Sequence, residues 1–514
     1  MGTVLSLGRD AAMRDVAAGL CRHFDSLGLD PVRIDTHISS VVLAGDRAYK
    51  VKKPVRFGFV DFRTPAQRRR SCEDEVRLNR RLAPDLYLGV VALHAQGDRV
   101  GPDLAGPVVE TAVAMRRLPP LSLASERLAR GILQAADLTA LAARLADFHR
   151  EAAVAPAESA WGTAPRIVEQ VTSTFEALSP HLVADLRPVL QRWIEREAAR
   201  LTPVFEQRRA DGHVREGHGD LHLDNVMVLG PGEVTAFDAL EFDPALRWID
   251  TQADLAFLVM DLLAHGRRDL AYGFLNDVLE HSGDYEGVAV LRWYVVWRAL
   301  VRALVAHLRE AAAPDASRLR APDYLALVRR LLPDPRGRLL ITRGLPGSGK
   351  THLTRLLLER AGALRLRSDV ERRRLFPSAS GRYTPQATET TYRHLARRAA
   401  GLLAAGCPVI VDAAFPRREQ RDALRAVAAT EGVPFTLLDC QAPLEMLQAR
   451  VLARKHEGRD ASEADLEVLA AAVDQQEPLG ADEADEVLTV DTSRPIPLAQ
   501  LVHRWLGGQP ATAA

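Results

Sequence analysis

The period of apolar and polar positions changes several times along the chain, and those changes divide it. From Val41 to Val51 the run Val-Val-Leu-Ala-Gly-Asp-Arg-Ala-Tyr-Lys-Val sets two β-rich stretches around a Gly-Asp turn and predicts a hairpin. Gln67 to Leu82 takes helical character, with Val76, Leu78 and Leu82 apolar and Glu75 among basic neighbours. Pro119-Pro120 punctuates the chain. Mostly helical patterns follow, as in Leu138, Leu141, Leu145 and Phe148 at spacings of three and four. Within that helical stretch, Asn225 to Leu229 and Glu233 to Asp238 read as two short strands around Gly230-Pro231-Gly232. The pattern predicts a small β-rich lobe followed by a larger helical lobe.

A different rhythm begins after the helical stretch Tyr324 to Leu332 and the linker-like Pro333-Asp-Pro-Arg-Gly337. Arg338 to Thr342 reads as a buried strand, a Gly-rich loop follows, and Leu353, Leu356 and Leu357 give the next segment one apolar helical face. Strand-like runs recur at Leu364 to Ser368, Val409 to Val411, Phe435 to Cys440 and Val487 to Val490, with helical segments between them. Such alternation predicts a parallel sheet with helices on both faces.

Composition narrows this picture. A chain of 514 residues exceeds one core and fits two or three domains. Its net charge of zero gives no overall pull toward nucleic acid or anionic membrane. Cys21, Cys72, Cys407 and Cys440 are far apart, without zinc-ligand spacing, and read as free thiols of a reducing cytoplasm. The most apolar stretch, Leu291 to Leu308, is broken by Arg292, Arg298, Arg302 and His307 and predicts a core helix rather than a membrane span. No basic region with an apolar run opens the chain, so no secretory signal is expected; the loose myristoylation pattern from Met1-Gly2 to Ser6 reads as accidental. Lysine is scarce: of 67 basic residues only Lys50, Lys52, Lys53, Lys350 and Lys455 are lysine. In so arginine-rich a chain, lysine is expected to survive where a compact point charge is needed.

Two segments carry phosphate chemistry. In Gly344-Leu-Pro346-Gly347-Ser348-Gly349-Lys350-Thr351 the glycines free backbone N–H groups to cradle phosphates at a helix N-terminus. In this motif Lys350 reaches the β and γ phosphates and Thr351 binds Mg²⁺. Asp412, ending the apolar strand, is placed like a second Mg²⁺ ligand, and the missing following Glu favours kinase chemistry over mechanical ATPase work. Asp369 and Arg372 follow the second strand, where a substrate hydroxyl would meet the γ phosphate. Upstream, His218-Gly-Asp220-Leu-His222-Leu-Asp-Asn225 precedes the hairpin that Asp238 closes. Asp220, Asn225 and Asp238 thus converge at one end, with the spacing of a kinase catalytic loop and its metal-binding aspartate.

By that motif, residues 1–333 resemble the aminoglycoside phosphotransferase and choline kinase superfamily, a branch of the protein-kinase-like fold. The resemblance implies Asp220 as catalytic base, Asn225 and Asp238 as Mg²⁺ ligands, and Lys50 on the nucleotide phosphates with Glu75 as its partner. Lys52 shares the strand face of Lys50, so either lysine fits the role. His218 and His222 read as loop-packing residues, and Asp250 and Asp254 resemble helix-borne aspartates that brace the catalytic loop. Two departures stand out. Thr36-His-Ile-Ser-Ser40 occupies the place of a Gly-rich phosphate loop, and Phe237-Asp-Ala-Leu-Glu-Phe242 replaces Asp-Phe-Gly, which argues against a protein kinase proper. Asp224, Glu241 and Asp243 read equally as lining for a cationic acceptor or as solvated, metal-adjacent carboxylates. Residues 334–514 resemble the P-loop small-molecule and polynucleotide kinases, with zeta-toxin-like kinases a related branch. There the resemblance implies Asp369 as general base, Arg372 as an acceptor or phosphate contact, and Arg450 and Arg454 as lid arginines over ATP.

The expected fold is an α+β protein-kinase-like two-lobed domain followed by an α/β P-loop NTPase domain with a parallel sheet. The expected function is bifunctional, Mg²⁺-assisted transfer of the γ-phosphoryl group of ATP to hydroxyls of small molecules. Two alternatives stand beside it: a P-loop ATP switch that governs the upstream kinase, and a nucleic-acid end kinase, which neutral charge and sparse aromatics disfavour. Acceptor identity and oligomeric state are left open by the pattern.

Overall fold

The computed structural model describes residues 15–57, 60–312, 319–378, 381–457 and 465–507, without the side chains of 311–312 and 454–457. The Met1–Ser6 pattern and the Arg454 side chain fall outside these. Compactness divides the chain into two units, one drawn from Met1–Leu133 and Glu216–Ile249, the other from Gln134–Arg215 and Asp250–Ala514.

The first unit is built on a six-stranded antiparallel sheet. In spatial order its strands are Val32–Asp35, Ser39–Ala44, Arg47–Lys52, Val108–Arg116, Tyr87–Gln96 and Arg99–Gly101. Strand alternation sends Tyr49 and Val51 to one face, where they pack with Leu20 and Phe24 of helix Val16–Ser26. Phe24 and Tyr49 stack with ring centroids 5.0 Å apart. Lys50 and Lys52 point to the opposite face, toward helix Pro65–Asn79, which buries Cys72, Glu75 and Val76. That helix starts where its sequence dictates, with Pro65 in its first turn and a reciprocal Thr64–Gln67 capping box.

The hairpin Val226–Gly230 and Glu233–Ala236, expected within the helical lobe, belongs instead to this β-rich unit. Met227 shares an apolar cluster with Val76, Tyr87 and Val113, and the Thr235 hydroxyl donates to Leu82 O at 2.7 Å. Long-range packing of this kind leaves no trace in local periodicity.

The second unit combines long helices with a five-stranded sheet in the order Leu364–Arg367, Pro408–Asp412, Arg338–Arg343, Phe435–Gln441, Val487–Asp491. Every neighbouring pair is parallel, as the alternating sequence pattern predicts. Leu353, Leu357 and Leu358 of helix Lys350–Ala361 pack with Ile410, Leu438, Val490 and Trp505. Among the helices, Thr251–Ala264 is buried along most of its length, and Trp193 stacks on Trp293 at 5.7 Å. No described helix is long and apolar enough to cross a membrane.

Helix Arg268–Ser282 lies against helix Lys350–Ala361 and strand Leu364–Arg367 within this unit. The buried amide of Asn276 donates to Ala363 O at 3.0 Å and accepts from the Arg365 N–H at 2.7 Å. Arg268 donates to Ala361 O at 2.7 Å. The sheet edge is therefore closed by side chains drawn from upstream in the sequence.

Candidate functional site

The upstream cluster gathers around one buried carboxylate. Glu75, wholly inaccessible, lies 2.8 Å from Lys50 Nζ and 2.5 Å from Lys52 Nζ. Lys50 also reaches Asp238 Oδ1 at 2.6 Å, whereas Lys52 pairs with Glu241, itself bonded by the Ser71 hydroxyl at 3.1 Å. Burial opposes ionisation of Glu75, but the two lysines overcome it and hold its carboxyl well below the usual range. Burial likewise opposes the Lys50 charge, and Asp238 and Glu75 outweigh it and push its pKa up. The lysines differ in access: the Lys52 side chain is 0% exposed and Lys50 13%. Lys50 alone of the two faces the half-exposed Asp238.

Asp238 adopts φ 61°, a left-handed backbone that few non-glycine residues take. Its neighbours hold it there. The Asp238 N–H donates to the Tyr87 hydroxyl at 3.1 Å, and the Ala239 N–H to Asn79 Oδ1 at 2.8 Å. His218, fully buried, hydrogen-bonds Phe237 O at 2.9 Å, and Leu240 N donates to His218 O at 3.0 Å. The histidine thereby ties the Asp220 loop to the Asp238 loop, a packing role that matches its expectation. Asn225 donates to Asp220 Oδ2 at 3.0 Å, and His222 Nε2 stands 3.4 Å from the same oxygen. Asp220, Asn225 and Asp238 thus share one end of the hairpin.

The remaining acidic residues hold local partners. Glu241 is buried against Lys52, and the Asp243 side chain caps helix Pro244–Arg247 by accepting from the Ala245 N–H. Asp224 stands 3.9 Å from His222. Asp250, in the other unit, accepts from Arg208 at 2.7 and 2.8 Å and caps helix Thr251–Ala264, while Asp254 meets His149 Nε2 at 3.0 Å. The Thr36–Ser39 turn is closed by its own bonds, with Thr36 N donating to Ser39 O at 2.8 Å and Ser39 N to Thr36 Oγ1 at 3.0 Å. Tyr87 and Asn79, missed by sequence reasoning, carry no motif that would have marked them.

The second cluster surrounds the Gly-rich loop. Gly344, Gly347 and Gly349 have φ of 145°, 83° and 79°. A Cβ would lie 2.5 Å from Cys440 O at Gly344 and 2.7 Å from Leu447 O at Gly347, so only glycine fits. Lys350 Nζ folds over the loop onto Gly344 O at 2.8 Å and Leu345 O at 2.9 Å. The loop and helix start open onto a cavity of about 690 Å³, lined also by Arg367, Asp369, Tyr383, Asp412 and Arg450. Burial, and then the Asp412 carboxylate, raise the Asp369 pKa against the opposing pull of Arg367, Arg372 and Lys350. Asp412 is buried and accepts from the Thr354 hydroxyl at 3.0 Å.

Arg450 braces the loop from one side, donating to Gly347 O at 3.3 Å and to Thr492 Oγ1 and O at 3.0 and 2.8 Å. Arg372 is buried, donates to Arg382 O at 3.1 Å and Thr388 Oγ1 at 3.2 Å, and stacks on Tyr383 at 5.2 Å. Arg367, which directly precedes the Ser368-Asp369 pair and was signalled only by that position, lines the cavity together with Arg450. Both clusters suit a phosphate-bearing nucleotide. One offers a glycine cradle with a lysine, the other a lysine anchored on a buried carboxylate beside oxygen donors. Among the described residues no three His, Cys, Asp or Glu side chains gather to hold a metal alone. A magnesium ion, bound by one or two protein oxygens together with phosphates, asks for no such cage.

Residues 43–294 match the phosphotransferase enzyme family and residues 339–479 match a family described as an AAA domain. The chain is therefore a nucleotide-binding phosphotransferase of the kinase class, in which a phosphotransferase-family domain is fused to a P-loop kinase-like domain. It belongs to the family of two uncharacterized proteins, of Mycobacterium tuberculosis and Mycobacterium bovis, each 31% identical over 487 residues, 92% of this chain and 94% of theirs.

Among solved structures, the chain is similar to a sugar kinase from Janibacter sp. at 22% identity, covering 35% of this chain and 99% of that one with a TM-score of 0.27. An APS kinase from Mycobacterium tuberculosis matches at 23%, covering 34% and 96%, TM-score 0.25. A gluconokinase from Sinorhizobium meliloti matches at 21%, covering 33% and 90%, TM-score 0.25.

Proposed function

We propose that the chain is a bifunctional phosphotransferase, with residues 1–333 and 334–514 each moving the γ-phosphoryl group of ATP to a hydroxyl of a small molecule. The observation that carries this reading is duplication without sharing. Lys50, Asn225, Asp238 and Asp220 form one set, and Lys350, Thr351, Asp412 and Asp369 form another. In the first set Lys50, the lysine with access, contacts phosphate while Lys52 stays locked between Glu75 and Glu241. Asn225 and Asp238 would hold Mg²⁺ upstream, and Thr351 and Asp412 would hold it in the P-loop cavity. When bound, the ion neutralises charge on the phosphates that the transfer develops.

Asp220 and Asp369 each orient an acceptor hydroxyl and take its proton as the oxygen bonds to phosphorus and ADP departs. Arg367 faces the acceptor in the second cavity, whose wall also carries the exposed ring of Tyr383. Arg450 holds the cradle in shape. Phosphate transfer from labelled ATP across a metabolite panel tests the assignment. Asp220→Asn is expected to abolish one set of products and Asp369→Asn the other, each by about 10²- to 10⁴-fold. If both variants keep full transfer to every acceptor found, the assignment of these bases fails.

A second reading, in which the P-loop domain governs the upstream kinase, is supported by the packing of helix Arg268–Ser282, inside the phosphotransferase match, against helix Lys350–Ala361. Lys350→Ala decides it: loss of Asp220-dependent transfer supports control, and unchanged transfer excludes it.

A further inference from the structure

An arginine on the edge strand of a sheet ordinarily reaches water, but the Arg365 side chain is only 4% exposed. Its guanidinium points inward and joins two places. On one side it donates to Glu280 Oε1, by Nε at 3.2 Å and Nη2 at 2.9 Å. On the other, Nη1 donates to Thr351 O at 3.1 Å and Thr354 Oγ1 at 3.3 Å. Thr351 lies in the first turn of the cradle helix, and the Thr354 hydroxyl lies 3.0 Å from Asp412 Oδ2.

The proton count gives this geometry a direction. A threonine hydroxyl donates once. Two acceptors compete for that proton, Thr351 O at 3.1 Å and Asp412 Oδ2 at 3.0 Å. Arg365 supplies a donor to the carbonyl and to the threonine oxygen, which leaves the hydroxyl proton for the carboxylate. Glu280 stands at the head of the series, compensating an otherwise buried cation, and also lies 3.5 Å from Arg367 on the cavity wall. Neither Glu280 nor Arg365 lies in the Gly-rich motif.

The geometry points to Glu280 as a positioning residue for the P-loop site: through Arg365 it fixes the Thr351 carbonyl and the Thr354 hydroxyl, and through that hydroxyl the Asp412 carboxylate. The phosphotransferase-family part of the chain, which supplies Glu280, thereby completes the nucleotide site of the other part. This rests on the reading that Thr351 and Asp412 receive Mg²⁺ with ATP.

Calorimetric titration of ATP into the full-length chain tests it, with excess Mg²⁺ and again with chelator, following the binding component that Lys350→Ala removes. Glu280→Ala is expected to shrink the gain in ATP affinity that Mg²⁺ confers by about tenfold, in line with the loss of a group that orients a metal ligand. Mg²⁺-free binding should stay as in the parent chain. Glu280→Gln, which keeps an acceptor for Arg365, should restore part of the gain. Asp277→Ala serves as control, because Asp277 grips Arg355 on the same helix face without leading to Asp412, and it should keep the full gain.

Thr354→Val removes the hydroxyl that joins Arg365 to Asp412, at nearly constant volume, and should reproduce the loss even if Glu280→Ala folds poorly. An undiminished Mg²⁺ gain in Glu280→Ala or Thr354→Val, or an equal loss in Asp277→Ala, overturns the inference alone. No ATP binding sensitive to Lys350→Ala overturns the P-loop reading along with it.

Discussion

Replacing Glu75 by glutamine separates the electrostatic role of that residue from its size. The carboxylate is inaccessible and serves two buried lysines at 2.8 and 2.5 Å. Removing one member of a buried ion pair costs about 3 to 5 kcal/mol, because the remaining charge is stranded. Here the lower end applies, since Lys50 keeps Asp238 and Lys52 keeps Glu241. A loss of about 3 kcal/mol in a unit of this size lowers its melting temperature by about 6 to 12 °C. Scanning calorimetry of the full-length chain at pH 7 reads that shift in the transition of the β-rich unit. The pH dependence has a fixed sign. The folded pKa of Glu75 is depressed, so its stabilisation is present above the unfolded value of 4.5 and is lost as pH falls through the folded value. The gap between parent and variant should be full at pH 7 and close only in acid. A shift below about 2 °C at pH 7 would mean that the cluster contributes little net stability, and the stranded-charge reasoning would be refuted.

Three further outcomes follow from individual residues. Gly347→Ala places a Cβ 2.7 Å from Leu447 O at φ 83°, adding about 1 to 2 kcal/mol of backbone strain to the clash, so ATP binding at the P-loop should collapse; retained affinity would deny the cradle. Because burial and Asp412 raise the Asp369 pKa, the acid limb of P-loop transfer should lie above the ordinary aspartate value of 3.8 and move further up in Arg367→Gln; a pH–rate limb at or below 3.8 contradicts the base assignment. Burial pushes Cys72 and Cys440 up to about 12, so a thiol reagent at pH 8 should leave both unmodified in the native chain and reach at most the half-buried Cys21 and Cys407; modification of Cys72 or Cys440 refutes their burial.

Local chemistry explains what could be read in advance. The strands at Arg338–Arg343, Leu364–Arg367, Pro408–Asp412, Phe435–Gln441 and Val487–Asp491 fall where the apolar runs place them, within a residue or two. A buried parallel strand must be apolar on both faces, so its signal is strong. The Gly-rich loop is legible because steric demands select glycine at fixed spacing. Strand alternation placed Lys50 and Lys52 on one face but could not rank them. Their difference arises from Glu241 and Asp238, which approach from 189 and 188 positions away. Arg365 and Glu280 were invisible for the same reason: in a chain with so many arginines, nothing local marks one that turns inward. The contribution of the hairpin Val226–Ala236 to the β-rich unit likewise depends on tertiary contacts that periodicity does not encode.

The Asn276 amide imitates one rung of a neighbouring strand, donating to the Ala363 carbonyl and accepting from the Arg365 N–H that the edge would otherwise present to solvent. An unprotected strand edge is a template for another chain. Producing the chain only from the exposed stretch after Leu332 onward would bare that rung and strand the Arg365 cation. The detached C-terminal half should then self-associate at its open edge, so the join between the two families acts as a guard against aggregation as well as a tether.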